Sequence, residues 1–249
     1  PNFSSNINLD KFYVPTSRAR YNTDNYDLKQ IEDKETNIKY FARLYKIEIN
    51  KFLRNEIINF HRMIKIWSRL NHPSILKLIG YSNVNFQNEK KLVIINEGEL
   101  IDKPNKYYAL FATKKLIFIY GIASGMAYLH SHNIIHRDLK MQNICLNENN
   151  IPKISGFDIM KQLVSDSKET SSHIKGTPAF LAPEIYLKKE YSKASDVYAF
   201  AFLLYELLME ELPFDTKCGP KEIKRKIIKE KYRPPLNQDL PECYKKLIE

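Results

Sequence analysis

The chain has 249 residues, enough to bury a sizeable core in one or two domains, and its 43% hydrophobic and 27% charged residues exclude a disordered or membrane-embedded chain. No apolar run reaches the roughly 20 residues that span a bilayer, residues 1–10 lack signal-peptide order, and Cys145, Cys218 and Cys243 lack metal-ligand spacing, so a cytoplasmic protein with reduced thiols is expected. A formal charge of +10 favours acidic partners, yet the lysines are scattered and not interleaved with aromatic stacking platforms, so nucleic acid is not an expected partner.

Residues 1–26 are polar and read as irregular chain or short edge strands. Asp27 to Ile31 alternates, Asp33 to Asn37 supplies turn residues, and 38–47 is rich in strand formers, which predicts a hairpin. Phe52, Ile57, Phe60, Ile64 and Trp67 recur at helical spacing, predicting an amphipathic helix over 50–70 that stops before Asn71-His72-Pro73. Residues 75–81 and 92–95 are apolar runs of strand length, and Asn96-Glu97-Gly98 reads as a connector. A long apolar helix follows over 113–130, with Thr113 as its cap. Residues 144–146 and 152–154 predict two short strands around the turn at 147–150, whereas 158–177 is polar and expected to be mobile. The run 193–209 is apolar nearly all round, the pattern of a buried helix, and 219–230 and 241–249 read as surface helices.

Between the long helix and the first short strand lies His136-Arg137-Asp138-Leu139-Lys140-Met141-Gln142-Asn143. Asp138 can accept a proton from a hydroxyl, Lys140 can neutralise a transferring phosphoryl group, and Asn143 can hold a magnesium ion. Phosphoryl transfer requires that division of labour, because its catalysis is mostly positioning and charge neutralisation. A His-Arg-Asp cluster alone is usually just a solvated polar turn. The full run, however, resembles the catalytic loop of protein kinases residue for residue. Residues 176–184, ending in Ala182-Pro183-Glu184, look like the family's substrate-docking segment, and Asp196 matches the buried aspartate that ties down the loop. Lys140 is the Ser/Thr-kinase spelling, and 70–78 resembles the tyrosine-kinase-like branch.

The resemblance covers roughly residues 26–249 and implies an α+β, two-lobed fold. Residues 1–96 would form an N-terminal extension and a small lobe with an antiparallel sheet and one regulatory helix. A hinge would follow at 97–100, then a mainly helical large lobe over 101–249. The end of the chain reads as truncated, because the family continues through a helix carrying an arginine partner for Glu184. By the same resemblance Arg43, Asn96, Glu97 and Gly98 border the nucleotide, and Trp67, Leu78, His136 and Phe157 stack between lobes above Asp196. Thr170, Ser171 and Ser172 would take phosphate from an upstream kinase, with Arg137 as the cation that meets it.

The departures from the family all fall on nucleotide chemistry. Where kinases read Asp-Phe-Gly this chain reads Gly156-Phe157-Asp158, so the metal-binding acid is absent from its place. Tyr21, Thr23 and Tyr26 stand for the glycines that let backbone N–H groups approach phosphates. The phosphate-gripping lysine becomes Arg43, or Leu44 in a register shifted by one, with Lys46 a weaker relocated candidate; its glutamate partner falls on Met63. Asp158 is either a relocated metal ligand or a surface acid. ATP and magnesium are therefore expected to bind weakly or not at all. The expected function is that of a pseudokinase, a scaffold or allosteric partner of other signalling proteins. The alternatives are a slow Ser/Thr kinase using Asp138, Lys140 and Asn143, and a metal-independent nucleotide-sensing module.

Overall fold

The structure, a computed structural model, describes residues 7–15, 21–22, 25–98, 112–147, 149–164 and 167–248. It comprises two compact units, Pro1–Asp102 with Cys145–Lys153, and Lys103–Ile144 with Ile154–Glu249.

In the first unit the expected hairpin forms β3 (Tyr26–Asp33) and β4 (Lys39–Glu48), preceded by the short strands β1 (Phe12–Tyr13) and β2 (Tyr21–Asn22). With β5 (Leu78–Ser82) and β6 (Lys91–Glu97) they make an antiparallel sheet of order β1-β3-β4-β6-β5, in which β2 also pairs with β3. The turn at 33–37 is set by Asp33, whose carboxylate accepts the N–H groups of Thr36 and Glu35 and is thereby held below the usual carboxylate pKa. Strand alternation collects Ile31, Ala42, Val93 and Ile95 on one face, which Leu9 and Phe12 of the N-terminal segment cover.

The helix expected over 50–70 is shorter than its apolar pattern. It runs as α1 (Arg54–Trp67), and residues 49–51 form a separate 3-10 turn. Phe52 fits the helical period, but the Glu56 carboxylate accepts the Leu53 N–H at 2.7 Å and fixes the start beyond it. Trp67 is 1% exposed and donates its indole N–H to the Leu76 carbonyl at 2.7 Å. The strand expected from residue 75 begins only at Leu78.

Among the described residues of the second unit the first element is α2 (Ala112–Ser131), in which Thr113 lies inside the first turn and is not the cap the sequence suggested. After β7 (Ile134–Ile135) the chain forms the hairpin strands β8 (Ile144–Leu146) and β9 (Pro152–Ile154), with the bounds the sequence predicted; their residues from Cys145 to Lys153 belong to the first unit. The segment 158–177, expected to be mobile, carries short ladders among its described residues. Its described residues form β10 (Lys161–Gln162), paired with β7, and β11 (Glu169–Thr170), paired with β12 (Glu190–Tyr191). The partners of these ladders lie far away in sequence, so local polarity does not reveal them. α3 (Pro183–Lys188) leads to α4 (Lys193–Met209), capped by the Ser192 hydroxyl and buried at Phe202, Leu203, Leu204 and Leu207. α5 (Pro220–Lys229) and α6 (Glu242–Ile248) follow. Among the described residues no helix is long and apolar enough to cross a membrane.

Candidate active site

The loop 136–143 is held from beneath by α4, which delivers Asp196 at 2% exposure. Asp196 Oδ2 accepts the His136 N–H at 2.8 Å and Oδ1 accepts the Arg137 N–H at 2.9 Å, while His130 Nε2 lies 3.0 Å from Oδ2. Both bonds hold Arg137 in the left-handed region, at φ 72°. The His136 ring packs on Phe157 at 5.4 Å, with Nε2 2.8 Å from the Ser155 carbonyl, and Nδ1 accepts the Asp138 N–H at 3.2 Å.

Both carboxylate oxygens of Asp138 are fixed. Oδ1 accepts the N–H of Thr177 at 2.9 Å and its hydroxyl at 2.7 Å, and Oδ2 meets Asn143 Nδ2 at 3.0 Å and Lys140 Nζ at 3.1 Å. Lys140 also donates to Thr177 Oγ1 at 2.6 Å. Thr177 is a member of this network that sequence reasoning did not single out. Its signal was Gly176 before it: with φ 105°, a Cβ there would meet the Arg137 carbonyl oxygen at 2.6 Å, so the chain can approach the loop only through glycine. The arrangement can orient a hydroxyl on Asp138 beside an ammonium group.

Residue 156 departs from that picture. Gly156 has φ 80°, and a Cβ built there would lie 2.4 Å from Asn143 Cγ. The Asn143 side chain thus occupies the space a side chain at 156 would need, and it is tied down by donating to the Asp138 carbonyl at 2.7 Å as well as to Oδ2. Asp158 is exposed on the 3-10 turn Phe157–Ile159. Among the described residues no three His, Cys, Asp or Glu side chains gather where they could hold a metal. Magnesium is commonly held through one or two carboxylates together with waters and substrate phosphates, and with glycine at 156 the carboxylate beside Asn143 is that of Asp138.

In the first unit, Leu44 packs against the apolar cluster around Ile31, whereas Arg43, 7% exposed, alternates to the opposite face with its guanidinium 4.8 Å from the Tyr26 ring. Lys46 pairs with Asp27 at 3.3 Å. Met63 is buried, and Glu56, the sole acid of α1, is engaged at the helix start, so α1 offers no carboxylate along its length. Glu97 accepts from Lys153 Nζ at 2.7 Å and from the Lys77 N–H at 3.1 Å. Asn96 is fully buried; its Nδ2 donates to the Lys77 carbonyl at 3.2 Å and its Oδ1 has no hydrogen-bond partner among the described residues. Gly98 has φ 88°. Leu78 and Trp67 are buried in this unit, and Thr23 of the expected phosphate loop lies outside the described residues.

The remaining sequence-predicted positions lie in the second unit. Thr170 pairs with Glu190 across β11 and β12, the Ser171 N–H donates to the Lys189 carbonyl at 3.1 Å, and Lys189 Nζ donates to the Ser172 carbonyl at 3.0 Å. The Arg137 guanidinium lies 4.0 Å from the centre of the Tyr191 ring at 8% exposure. Glu184 sits half-buried in the first turn of α3, with no ion-pair partner among the described residues. Nearby, the Tyr198 hydroxyl is buried without a hydrogen bond among the described residues, and burial pushes its pKa up to about 12.

Residues 29–249 match the family model for the protein kinase domain. The Aurora kinase of Yarrowia lipolytica is 28% identical over 250 residues, covering 98% of this chain and 64% of that protein. The serine/threonine-protein kinase sgk-1 of Caenorhabditis elegans is 33% identical over 219 residues, 85% of this chain and 45% of the relative. The serine/threonine-protein kinase polo of Drosophila melanogaster is 32% identical over 217 residues, 78% of this chain and 36% of the relative. The chain spans only 12% and 40% of two probable serine/threonine-protein kinases of Dictyostelium discoideum, each 30% identical to it. With its loop held by Asp196 and its sequence matched over nearly the whole length, the chain belongs to the protein kinase family.

Proposed function

We propose that this protein kinase domain is a pseudokinase, impaired in metal-dependent phosphoryl transfer, which works in the cytoplasm as a scaffold or allosteric partner of other signalling proteins. The observation that carries the reading is the Asn143 amide, which fills the space beside Gly156 and is bonded to Asp138. Loss of metal clamping alone removes several kcal/mol of transition-state stabilisation, and each ~1.4 kcal/mol is tenfold in rate. The tyrosine-kinase-like spelling of 70–78 and an upstream kinase acting on 170–172 belong to the same reading. A slow Ser/Thr kinase is the second reading, favoured by the bonds joining Asp138, Lys140 and Thr177. Thermal shifts with ATP, with and without magnesium, separate the two: the pseudokinase shows no magnesium-dependent shift and no phosphate incorporation above background. A magnesium-independent shift would identify nucleotide sensing, and incorporation that vanishes in Asp138→Ala would overturn the proposal.

A further inference from the structure

We infer that the surface leading from Asp138 over α3 and α5 docks an acidic segment of a partner protein. The inference deepens the binding role proposed above and rests on it. The path is continuous in bonds. Thr177 is bonded to Asp138, the next carbonyl, that of Pro178, accepts the Tyr186 hydroxyl at 2.8 Å, and Lys224 Nζ stands 5.9 Å from the centre of the Tyr186 ring. α5 packs against both α3 and the 3-10 turn Pro178–Phe180.

The charge on this surface is lopsided. α5 buries Ile223 and Ile227 and carries Lys221, Lys224, Arg225, Lys226 and Lys229 against the single acid Glu222. That acid lies 3.8 Å from Lys226, and Glu230 just beyond the helix pairs with Arg225. Lys221 and Lys224, three residues apart and so on one side of the helix, are left with no carboxylate partner among the described residues. α3 adds Leu187, which is 64% exposed and follows Tyr186 in the chain. Its one acid, Glu184, is half-buried. The Tyr186 hydroxyl stays neutral, since burial pushes it up to about 12. An occupant therefore needs carboxylates for Lys221 and Lys224 and an apolar side chain for Leu187. An acidic peptide segment supplies both. A basic segment would meet like charge, which specificity in interfaces commonly exploits.

The test is fluorescence anisotropy on the full chain without nucleotide, using labelled serine-containing peptides that differ only in carrying Asp and Glu or Lys and Arg around an apolar residue. The acidic peptide should bind about tenfold tighter than the basic one and weaken as salt is raised. Lys221→Glu with Lys224→Glu should abolish that preference, Lys221→Gln with Lys224→Gln should reduce it, and the remote reversal Lys65→Glu with Lys90→Glu should leave it in place. Equal affinity for both peptides, or equal loss from the remote reversal, would overturn the inference. So would vesicles of phosphatidylserine that bind more tightly than the peptide with the same dependence on Lys221 and Lys224, since the surface would then serve a membrane. Binding is read without ATP or transfer, so its failure leaves the impaired chemistry standing, and magnesium-dependent incorporation would leave the docking surface standing.

Discussion

Substituting Gly156 by alanine tests whether Asn143 and residue 156 compete for one space. The substitution has two separable costs. At φ 80° a residue with a Cβ sits in the left-handed region, worth roughly 1 to 2 kcal/mol. The added Cβ would also stand 2.4 Å from Asn143 Cγ, so the amide must swing away and give up its bonds to the Asp138 carbonyl and carboxylate. A neutral hydrogen bond contributes about 1 kcal/mol and one to a charged group about 1.5 to 3, so this second part is roughly 2 to 4 kcal/mol. Gly156→Ala alone should therefore cost about 3 to 6 kcal/mol. In an Asn143→Ala background the obstructing amide is gone, and the same substitution should cost only the backbone part. Urea denaturation of the parent, both single variants and the double variant closes the cycle, with an expected coupling of at least ~1 kcal/mol. Additivity within about 0.5 kcal/mol would mean that the two residues do not share the space, and the argument against a metal clamp would lose its footing.

Three further outcomes follow from single side chains. Trp67→Ala should cost about 3 to 5 kcal/mol, because the indole is 1% exposed, whereas Trp67→Phe should lose mainly the bond to the Leu76 carbonyl, about 1 kcal/mol; a parent-like denaturation midpoint for Trp67→Ala would refute the packing. Tyr198→Phe should melt at or above the parent temperature, since it removes a buried hydroxyl that has no hydrogen bond; a loss above ~1 kcal/mol would mean the hydroxyl is satisfied. Burial and the Lys153 charge lower the His72 pKa from 6.5, so the unfolded chain takes up a proton that the folded chain resists. That stability is fully present above pH 6.5 and is lost as pH falls through the folded pKa, so His72→Asn should flatten the acid limb of the stability curve; equal slopes in both proteins would contradict this.

Much of the fold is legible because its signals are local. The buried helix 193–209 has the bounds its apolar run announces, and the strands at 144–146 and 152–154 are delimited by a turn whose Asn147 carboxamide oxygen accepts the N–H groups of Asn149 and Ile151. The eight residues from His136 to Asn143 spell their own conformation, and Asp196 reaches two of their N–H groups from α4. What was not legible depends on contacts that the apolar period does not show. Glu56, close to Phe52 in sequence, starts the helix later than the period alone suggests, and nothing within 158–177 says that Ile135 and Tyr191, distant in sequence, will supply ladders for it. The missing acid at 156 could be read directly, but its consequence could not. That Asn143 takes over the vacated space is a property of two residues that meet only once the chain is folded.

The segment 167–175 is where sequence and structure suggest different tests. Read as a mobile, phosphorylated loop, it would become ordered only when a phosphate reaches Arg137. In the folded chain Arg137 is 8% exposed and covered by the Tyr191 ring, whose hydroxyl bonds both the N–H of Lys175, at 2.6 Å, and its carbonyl, at 2.8 Å. The β11–β12 ladder and Lys189 hold residues 169–172 at the other end. Order is thus present before any phosphate arrives, and amide hydrogen exchange of the unmodified protein should already be slowed across 169–175. The three hydroxyls are also unequal. Phosphate on Thr170 would face Glu190 directly across the ladder, like charge against like, whereas on Ser172 it would lie near Lys189. Added protection after modification by an upstream kinase should therefore appear at Ser171 or Ser172 and fall in Lys189→Ala, while Thr170→Glu should loosen the ladder. Arg137→Ala should speed exchange even without phosphate, because it uncovers Tyr191 and removes a cation–π contact worth about 0.5 to 2 kcal/mol. Exchange at free-chain rates across 169–175 in the unmodified protein, slowed only after phosphorylation and only with Arg137 present, would refute this order and restore the loop as a phosphate-gated switch.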